Sequence, residues 1–295
     1  MERVFSYTIS AEDAGKDVHE FLRNRGYSRH ILASMKPIPE AVKVNGVHVY
    51  MRFRLSEGDV LTTMVRDEQS SVNIIPAPIP FGIEYEDEDL LIVNKPADTA
   101  IHPAVGHPAN TLGNGVAWYY QQQGIPFVFR CINRLDRDTT GLLIVAKNLV
   151  SASILEQTLL KREIHRTYLA VAEGHTEDSG TIDLPIARKE GSLIERCVDP
   201  ENGDRAVTHY ETLKRYPEYS LVRLQLETGR THQIRVHMTA QGHPLMGDTL
   251  YNPDGLPGIT RQALHSFSLD FPHPITGESM HFEADPPEDM QKLLK

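Results

Sequence analysis

Residues 133–147 read NRLDRDTTGLLIVAK. In the second half, five consecutive apolar residues, Leu142–Ala146, are too few for a stable helix. They include β-branched Ile144 and Val145, so the run predicts a strand buried on both faces. The first half is a polar loop that sets Asp136 among Arg134, Arg137 and Asp138. An arginine beside a carboxylate fixes its orientation and favours its ionised form. An ionised, oriented carboxylate serves as nucleophile or base. Such a cluster in a free loop is ordinarily a surface ion pair. Mounted on a buried strand it becomes a candidate site, because rigid elements position reactive groups best.

Working outward, IEYEDEDLLIVNKP (83–96) predicts a buried strand at Leu91–Asn94, ended by Pro96. Residues 149–162 predict an amphipathic helix with Leu149, Ile154 and Leu159 or Leu160 facing inward. Residues 166–174 and 220–228 read as strands; in the second, Val222, Leu224 and Leu226 alternate with Arg223 and Gln225. In THQIRVHMTAQG (231–242) the apolar residues alternate, yet Thr231 as N-cap, Gly242 after the last turn and Pro244 beyond predict a helix. Strands and helices without a regular βαβ rhythm place the chain in the α+β class.

The stretch 71–82 carries three prolines and no charge, and reads as a semi-rigid linker. It divides the chain into a small α+β unit, 1–70, and a larger one, 83–295. In the small unit, residues 14–26 put Val18, Phe21 and Leu22 on one helical face, and Gly26 stops the helix. Ser28 caps a second helix that ends before Pro37. Two β-rich runs follow, 41–50 and 51–65, with tight turns at Asn45-Gly46 and Glu57–Asp59.

Composition narrows the function. Of 295 residues 40% are hydrophobic and 24% charged, which fits a folded protein rather than a disordered one. The net charge of −10 at first argues against a nucleic-acid partner. However, residues 81–90 carry −5 and 281–290 carry −4, so nearly all the excess lies in two short stretches. Two cysteines, Cys131 and Cys197, make neither a disulfide framework nor a zinc quartet, which points to a reduced, cytoplasmic setting. No apolar run is long enough to span a membrane, and the N-terminus lacks the pattern of a signal peptide. His232 and His237 are five apart, as are His102 and His107; neither pair has helical zinc spacing or a third ligand, so no metal is expected. Asp136 and Asp138, two apart in a loop, offer no reason for the separation a glycosidase needs.

Three segments carry the remaining chemistry: Asn133–Gly141, RTYLA at 166–170, and GRTHQIRVH at 229–237. In this order they resemble the RluA/RluD type of RNA pseudouridine synthase, whose signature runs His-Arg-Leu-Asp, Lys-x-Tyr-x-Ala, Gly-Arg-x-His-Gln-Ile-Arg-x-His. Asn94-Lys95-Pro96, His102-Pro103, His243-Pro244, Gly247-Asp248, Tyr251 and Leu264-His265 agree with it. The likeness covers about residues 83–290. It implies a mixed, largely antiparallel bent sheet with flanking helices, and isomerisation of uridine in RNA without cofactor or metal. Asp136 takes the position of the catalytic aspartate, which attacks the nucleotide or assists breaking of the sugar–base bond. Tyr168 takes that of a tyrosine packed on the uracil, Arg235 that of the basic partner of the aspartate, and Arg134 that of an arginine filling the place of the flipped base. Arg137 and Arg230 add to the RNA-binding groove.

Residues 1–70 resemble the RNA-binding module of the bacterial small-subunit ribosomal protein four, on Asp17 and Leu22, Ser28-Arg29, Val44-Asn45-Gly46 and Gly58-Asp59. That likeness makes Arg23, Arg25, Arg29 and Lys36 the expected phosphate contacts. The first departure from the two patterns is Pro37-Ile38-Pro39-Glu40, where a smoother helix end and a glycine are usual. The others are Asn133 for histidine and Asp98 for glycine, the last implying a positive φ. The resemblance thus implies a monomeric cytoplasmic enzyme acting on ribosomal RNA of the large subunit, with transfer RNA as second choice. The rival reading, resting on Asn133, is a catalytically impaired RNA-binding protein in ribosome assembly.

Overall fold

The computed structural model describes residues 1–67, 70–71, 73–103 and 109–295. His107 lies outside the described residues. The first unit comprises β1 (Glu2–Thr8), α1 (Val18–Asn24), α2 (Arg29–Met35), β2 (Val42–Val44), β3 (Val47–His48) and β4 (Val60–Arg66). Its sheet runs β1-β4-β2-β3, all antiparallel. The helix starts follow their caps: the Asp17 carboxylate accepts from Glu20 N–H, and the Ser28 hydroxyl from Ile31 N–H. Asn45 and Gly46 both have positive φ, 51° and 80°, the requirement of a two-residue hairpin turn.

Two local readings change. Strand β1 buries only Phe5 fully, so it lacks the strong alternation that marks a strand in sequence. The run 51–65 is strand only from Val60. Its first part instead bonds to the start of α1, with His19 N–H on the Met51 carbonyl and Val18 N–H on that of Phe53.

The second unit holds β5 (Gly82–Glu86), β6 (Leu90–Lys95), α3 (Leu112–Gln122), β7 (Thr140–Ala146), α4 (Leu149–Leu160), β8 (His165–Glu173) and β9 (Ser179–Asp183). It continues with β10 (Ile186–Arg188), β11 (Arg196–Val198), β12 (Val207–Arg215), β13 (Tyr219–Leu226), α5 (Gln233–Ala240), β14 (Leu264–Pro272), β15 (Ser279–Glu283) and α6 (Glu288–Leu293). Nine strands make one mixed sheet, in the order β5-β6-β7-β14-β8-β13-β12-β9, with β15 against β14. All pairs are antiparallel except β7 with β14.

The central strands read as apolar runs because both faces are covered. Leu91, Val93, Leu143 and Val145 pack with Leu112, Val116 and Tyr120 of α3. The alternate residues Leu90, Ile92, Leu142 and Ile144 pack with Leu155 of α4. At the parallel crossing, Gly141 has φ 107°, and a Cβ there would lie 2.2 Å from the Ser266 carbonyl oxygen. Only glycine lets β14 approach the end of the loop that carries Asp136.

Helix α4 turns the expected Leu149, Ile154 and Leu159 inward, but onto two cores rather than one face. Its buried residues are Val150, Ser151, Ala152, Leu155 and Thr158, and Leu160 is exposed. Val150 belongs to the core of the first unit, and Leu149 and Ile154 pack against that core, while Ala152, Leu155 and Leu159 face the large sheet. Ser153 Oγ donates to the Gly26 carbonyl at 2.8 Å, Arg3 forks onto Asp89 at 2.9 and 3.1 Å, and Arg130 forks onto Asp67 at 2.6 and 2.9 Å.

These contacts account for much of the acidic stretch 81–90. Asp89 also accepts from Asn148 and Ser151, Glu86 accepts from Lys147, Tyr119 and Tyr120, and Asp87 meets His273. Asp87, Asp89 and His273 lie close enough to hold a cation. Arg3 and backbone N–H groups already satisfy the two carboxylates, so the group is a structural network. Both cysteines are free. No helix among the described residues is long and apolar enough to cross a membrane.

Candidate active site

Three elements converge on Asp136: its own loop before β7, strand β8, and the loop leading into α5. Asp136 is half-buried, and its Oδ2 accepts from Arg235 Nη1 at 3.1 Å, across 99 residues of sequence. Arg235 is 6% exposed. Its other edge forks onto Asp248, Nε to Oδ2 at 2.7 Å and Nη2 to Oδ1 at 2.9 Å, and Asp248 is fully buried. Burial opposes the guanidinium charge, but hydrogen bonds and charge from Asp248 and Asp136 outweigh it and raise the Arg235 pKa. Arg235 is thus a fixed cation that orients Asp136, and Asp248 fixes Arg235. Sequence reading placed Asp248 only in a flanking run; a buried bidentate partner thirteen residues on leaves no periodic signal.

His232 was not foreseen either. Its φ is 58°, a left-handed conformation that costs a non-glycine residue about 1–3 kcal/mol. It occupies the cap position of α5, where Thr231 was expected, and makes no capping bond. The loop is held from inside the helix instead: Gln233 Oε1 accepts from Arg230 N–H and the Thr228 hydroxyl, while its Nε2 donates to Val207 O and Thr208 Oγ1. His232 Nε2 lies 3.9 Å from Asp136 Oδ2, and Nδ1 is 2.9 Å from the Tyr251 hydroxyl. That hydroxyl also accepts from Arg196 N–H. Burial lowers the His232 pKa. The neutral ring thus borders Asp136 without a charge of its own. His237 lies between Thr208 and the Leu184 carbonyl and is a scaffold residue.

Tyr168 is 4% exposed and shares a chamber with Leu135, Asp136, Leu226, Ile234 and Leu264. Burial raises the pKa of its phenol, which stays protonated at neutral pH. The chamber opens into a cleft of about 960 Å³ that Arg134, Arg137, Arg166 and Arg230 also line.

The sequence neighbours of Asp136 do not pair with it. Arg134 is exposed at the cleft. Arg137 turns to Asp98, whose φ of 52° agrees with the positive φ expected there. Arg230 meets Asp204 at 3.2 Å and donates to Arg205 O. The alternation of charge along the loop comes from two layers of contacts, and only the tertiary fold sorts them. Asn133 is buried, and its Oδ1 accepts from Ile144 N–H at 2.9 Å, so its side chain anchors the loop to β7. Cys131 is no nucleophile: burial pushes its thiol up to about 12.

In the first unit, Arg29 and Lys36 are exposed. Arg23 donates to the Tyr27 carbonyl. Arg25 pairs with Asp13 and lies over the rings of Tyr7 and Phe21, which gives it a structural employment that the sequence did not show.

Beneath the loop, Lys95 is fully buried, and its Nζ donates to the carbonyls of Pro96, Thr99 and Arg137 at 2.8–2.9 Å. Three acceptors match the three protons of an ammonium, and this staple joins the 96–99 loop to the loop of Asp136. Burial nevertheless brings the Lys95 pKa down to about 7, with Asp138 and Asp136 opposing the fall. Between about pH 7 and the ordinary lysine pKa of ~10.4, the unfolded chain binds the extra proton. Stability contributed through this group should therefore rise with pH across that window and be flat below it. Urea midpoints measured at pH 7 and pH 9 check this: wild type should gain relative to Lys95→Met. Parallel curves for the two proteins would refute it.

Comparison with known proteins adds to the geometry. A family model described as RNA pseudouridylate synthase matches residues 89–240. A Bacillus subtilis (strain 168) protein named "Uncharacterized RNA pseudouridine synthase YjbO" is 42% identical over 279 residues, covering 94% of this chain and 98% of the relative. "Ribosomal large subunit pseudouridine synthase D" of Escherichia coli (strain K12) is 42% identical over 233 residues, covering 75% and 71%. The solved structure "Human RNA Pseudouridylate Synthase Domain Containing 1" superposes with a TM-score of 0.59 at 29% identity, covering 72% of this chain and 85% of that one.

Proposed function

The chain belongs to the RNA pseudouridylate synthase family, and from that premise we propose that it isomerises uridine in large-subunit ribosomal RNA, with Asp136, Tyr168 and Arg235 as its reaction centre. The observation that carries the reading is the Asp136–Arg235–Asp248 chain of charges at the mouth of a chamber floored by Tyr168. The reaction breaks the bond between the sugar C1′ and uracil N1, joins C1′ to C5, and moves the C5 proton to N1. It is redox-neutral and consumes nothing.

A base stacked in RNA is out of reach, so the uridine must be extruded, at a cost of a few kcal/mol. Arg134, exposed at the cleft, fits the role of the group that fills the vacated stack. The extruded base enters beside Tyr168, whose buried, protonated phenol offers an aromatic face and a hydroxyl near C5. Asp136, held by Arg235 on one edge, reaches the C1′ side as nucleophile or as the group that eases bond breaking. Arg137 and Arg230 line the same cleft and add positive charge for the RNA backbone. One chain supplies every group, so a monomer suffices.

Residues 1–70 act, in this reading, as an accessory RNA-binding module of the ribosomal-protein-four type. Arg23, Arg29 and Lys36 are its phosphate contacts; Arg25 has the lesser part because Asp13 already engages it. The acidic total does not oppose this, because much of the charge in residues 81–90 is spent inside the fold.

Mapping pseudouridines in ribosomal and transfer RNA from cells with and without the protein tests the proposal. At least one site in large-subunit ribosomal RNA should disappear with it. A loss confined to transfer RNA would replace the substrate, and no loss in any RNA would revive the binding-protein reading.

A further inference from the structure

Arg166 opens the RTYLA segment, two residues before Tyr168 and so on the same face of β8. It is 9% exposed. Among the described residues no carboxylate lies within ion-pair distance of it, and its Nε has no hydrogen-bond partner. Its guanidinium bears on the Tyr168 hydroxyl, which is neutral. Of the other cations around the site, Arg134 is exposed at the cleft and the rest are engaged: Arg235 by Asp136 and Asp248, Arg230 by Asp204, Arg137 by Asp98, Lys95 by three carbonyls. Arginines this buried are ordinarily paired, because an uncompensated buried charge is strongly unfavourable.

Its place shows what would compensate it. Arg166 lines both the inner chamber and the outer cleft, whereas Tyr168, Leu226 and Leu264 line the chamber alone. It therefore stands at the threshold between them. A Cβ at Gly229 would lie 3.2 Å from Arg166 Nη1, so a larger residue there would press on the guanidinium by a few tenths of an ångström.

We propose that Arg166 binds the backbone phosphate of the extruded uridine as the nucleotide crosses this threshold. The inference rests on the pseudouridine synthase reading and extends it. A carbonyl of the base would satisfy the N–H groups but leave the charge uncompensated. The anions of RNA are its phosphodiesters, and the planar fork of arginine matches a phosphate on two bonds. With the base beside Tyr168, the phosphate that follows it must pass the threshold.

The test uses Arg166→Met, which keeps an unbranched apolar stem, and Arg166→Lys, which keeps the charge. The urea midpoint of free Arg166→Met should equal or exceed that of wild type; a marked fall would assign the residue a structural role and overturn the proposal. Inorganic phosphate should raise the midpoint of wild type and of Arg166→Lys above that in chloride of equal ionic strength, and this increment should be lost in Arg166→Met. On an unmodified transcript of large-subunit ribosomal RNA, Arg166→Met should raise KM about 10- to 100-fold, as expected for a charged hydrogen bond. Arg166→Lys should recover most of that loss. The slope of log affinity against log salt should fall by about 0.7–0.9, one phosphate contact. Weaker binding with an unchanged slope would mean a contact to the base and would sink the proposal. If wild type modifies no uridine in the transcript, the substrate reading fails, and the phosphate increment still decides the role of Arg166.

Discussion

Asp136→Asn should reduce pseudouridine formation at least about a thousandfold, in line with the loss of a reacting group in other enzymes. Asparagine keeps the shape and one acceptor for Arg235, so the chamber should persist. Arg235 also retains both bonds to buried Asp248, and the change should cost the free protein no more than about 3 kcal/mol. Affinity for substrate RNA should stay within a few-fold of wild type, because Asp136 brings no positive charge to the phosphates. Single-turnover assays on the transcript, beside equilibrium binding and urea denaturation, separate these effects. Retention of even a tenth of the wild-type rate would remove Asp136 from the centre of the reaction.

The second large effect is on stability. Asp248 is fully buried and bonded to Arg235 on two edges, and its Oδ1 also accepts from the N–H groups of Leu250 and Tyr251. Removing one partner of such a pair leaves a buried charge uncompensated, at about 3–5 kcal/mol. Asp248→Ala should lower stability by that amount and also lose activity, because Arg235 is freed to swing from Asp136. The double change Asp248→Leu with Arg235→Met should regain part of the stability and none of the activity. A single variant within about 1 kcal/mol of wild type would show that the pair is not the anchor.

Much of the fold was legible because its signals are local. The strand read at Leu91–Asn94, the apolar run Leu142–Ala146, the Ser28 cap, the Asn45-Gly46 turn and the break at Gly26 each act over a few residues, and each element formed where its pattern lies. Helix α4 turns Leu149, Ile154 and Leu159 inward as its sequence predicts, but a single amphipathic face presumes a single core, and this helix faces two. Strand β1 and the start of α5 were missed for a related reason. Phe5 is the one fully buried residue of the strand, and the loop before α5 is held by Gln233 from within the helix rather than by a cap before it.

The order of the three motifs, by itself, determined the family and put Asp136, Tyr168 and Arg235 forward as candidates, since those residues are marked by type and spacing. Which charges meet was decided by the tertiary structure alone. Arg134 and Arg137 flank Asp136 in the chain, yet its partner is Arg235, and the partner of Arg235 is Asp248. Arg166 is buried like Arg235 yet meets no anion among the described residues, a property that no spacing encodes. Electrostatic pairing follows distance through space and the loss of solvent around each group, and both quantities exist only once the sheet has brought β7, β8 and α5 together.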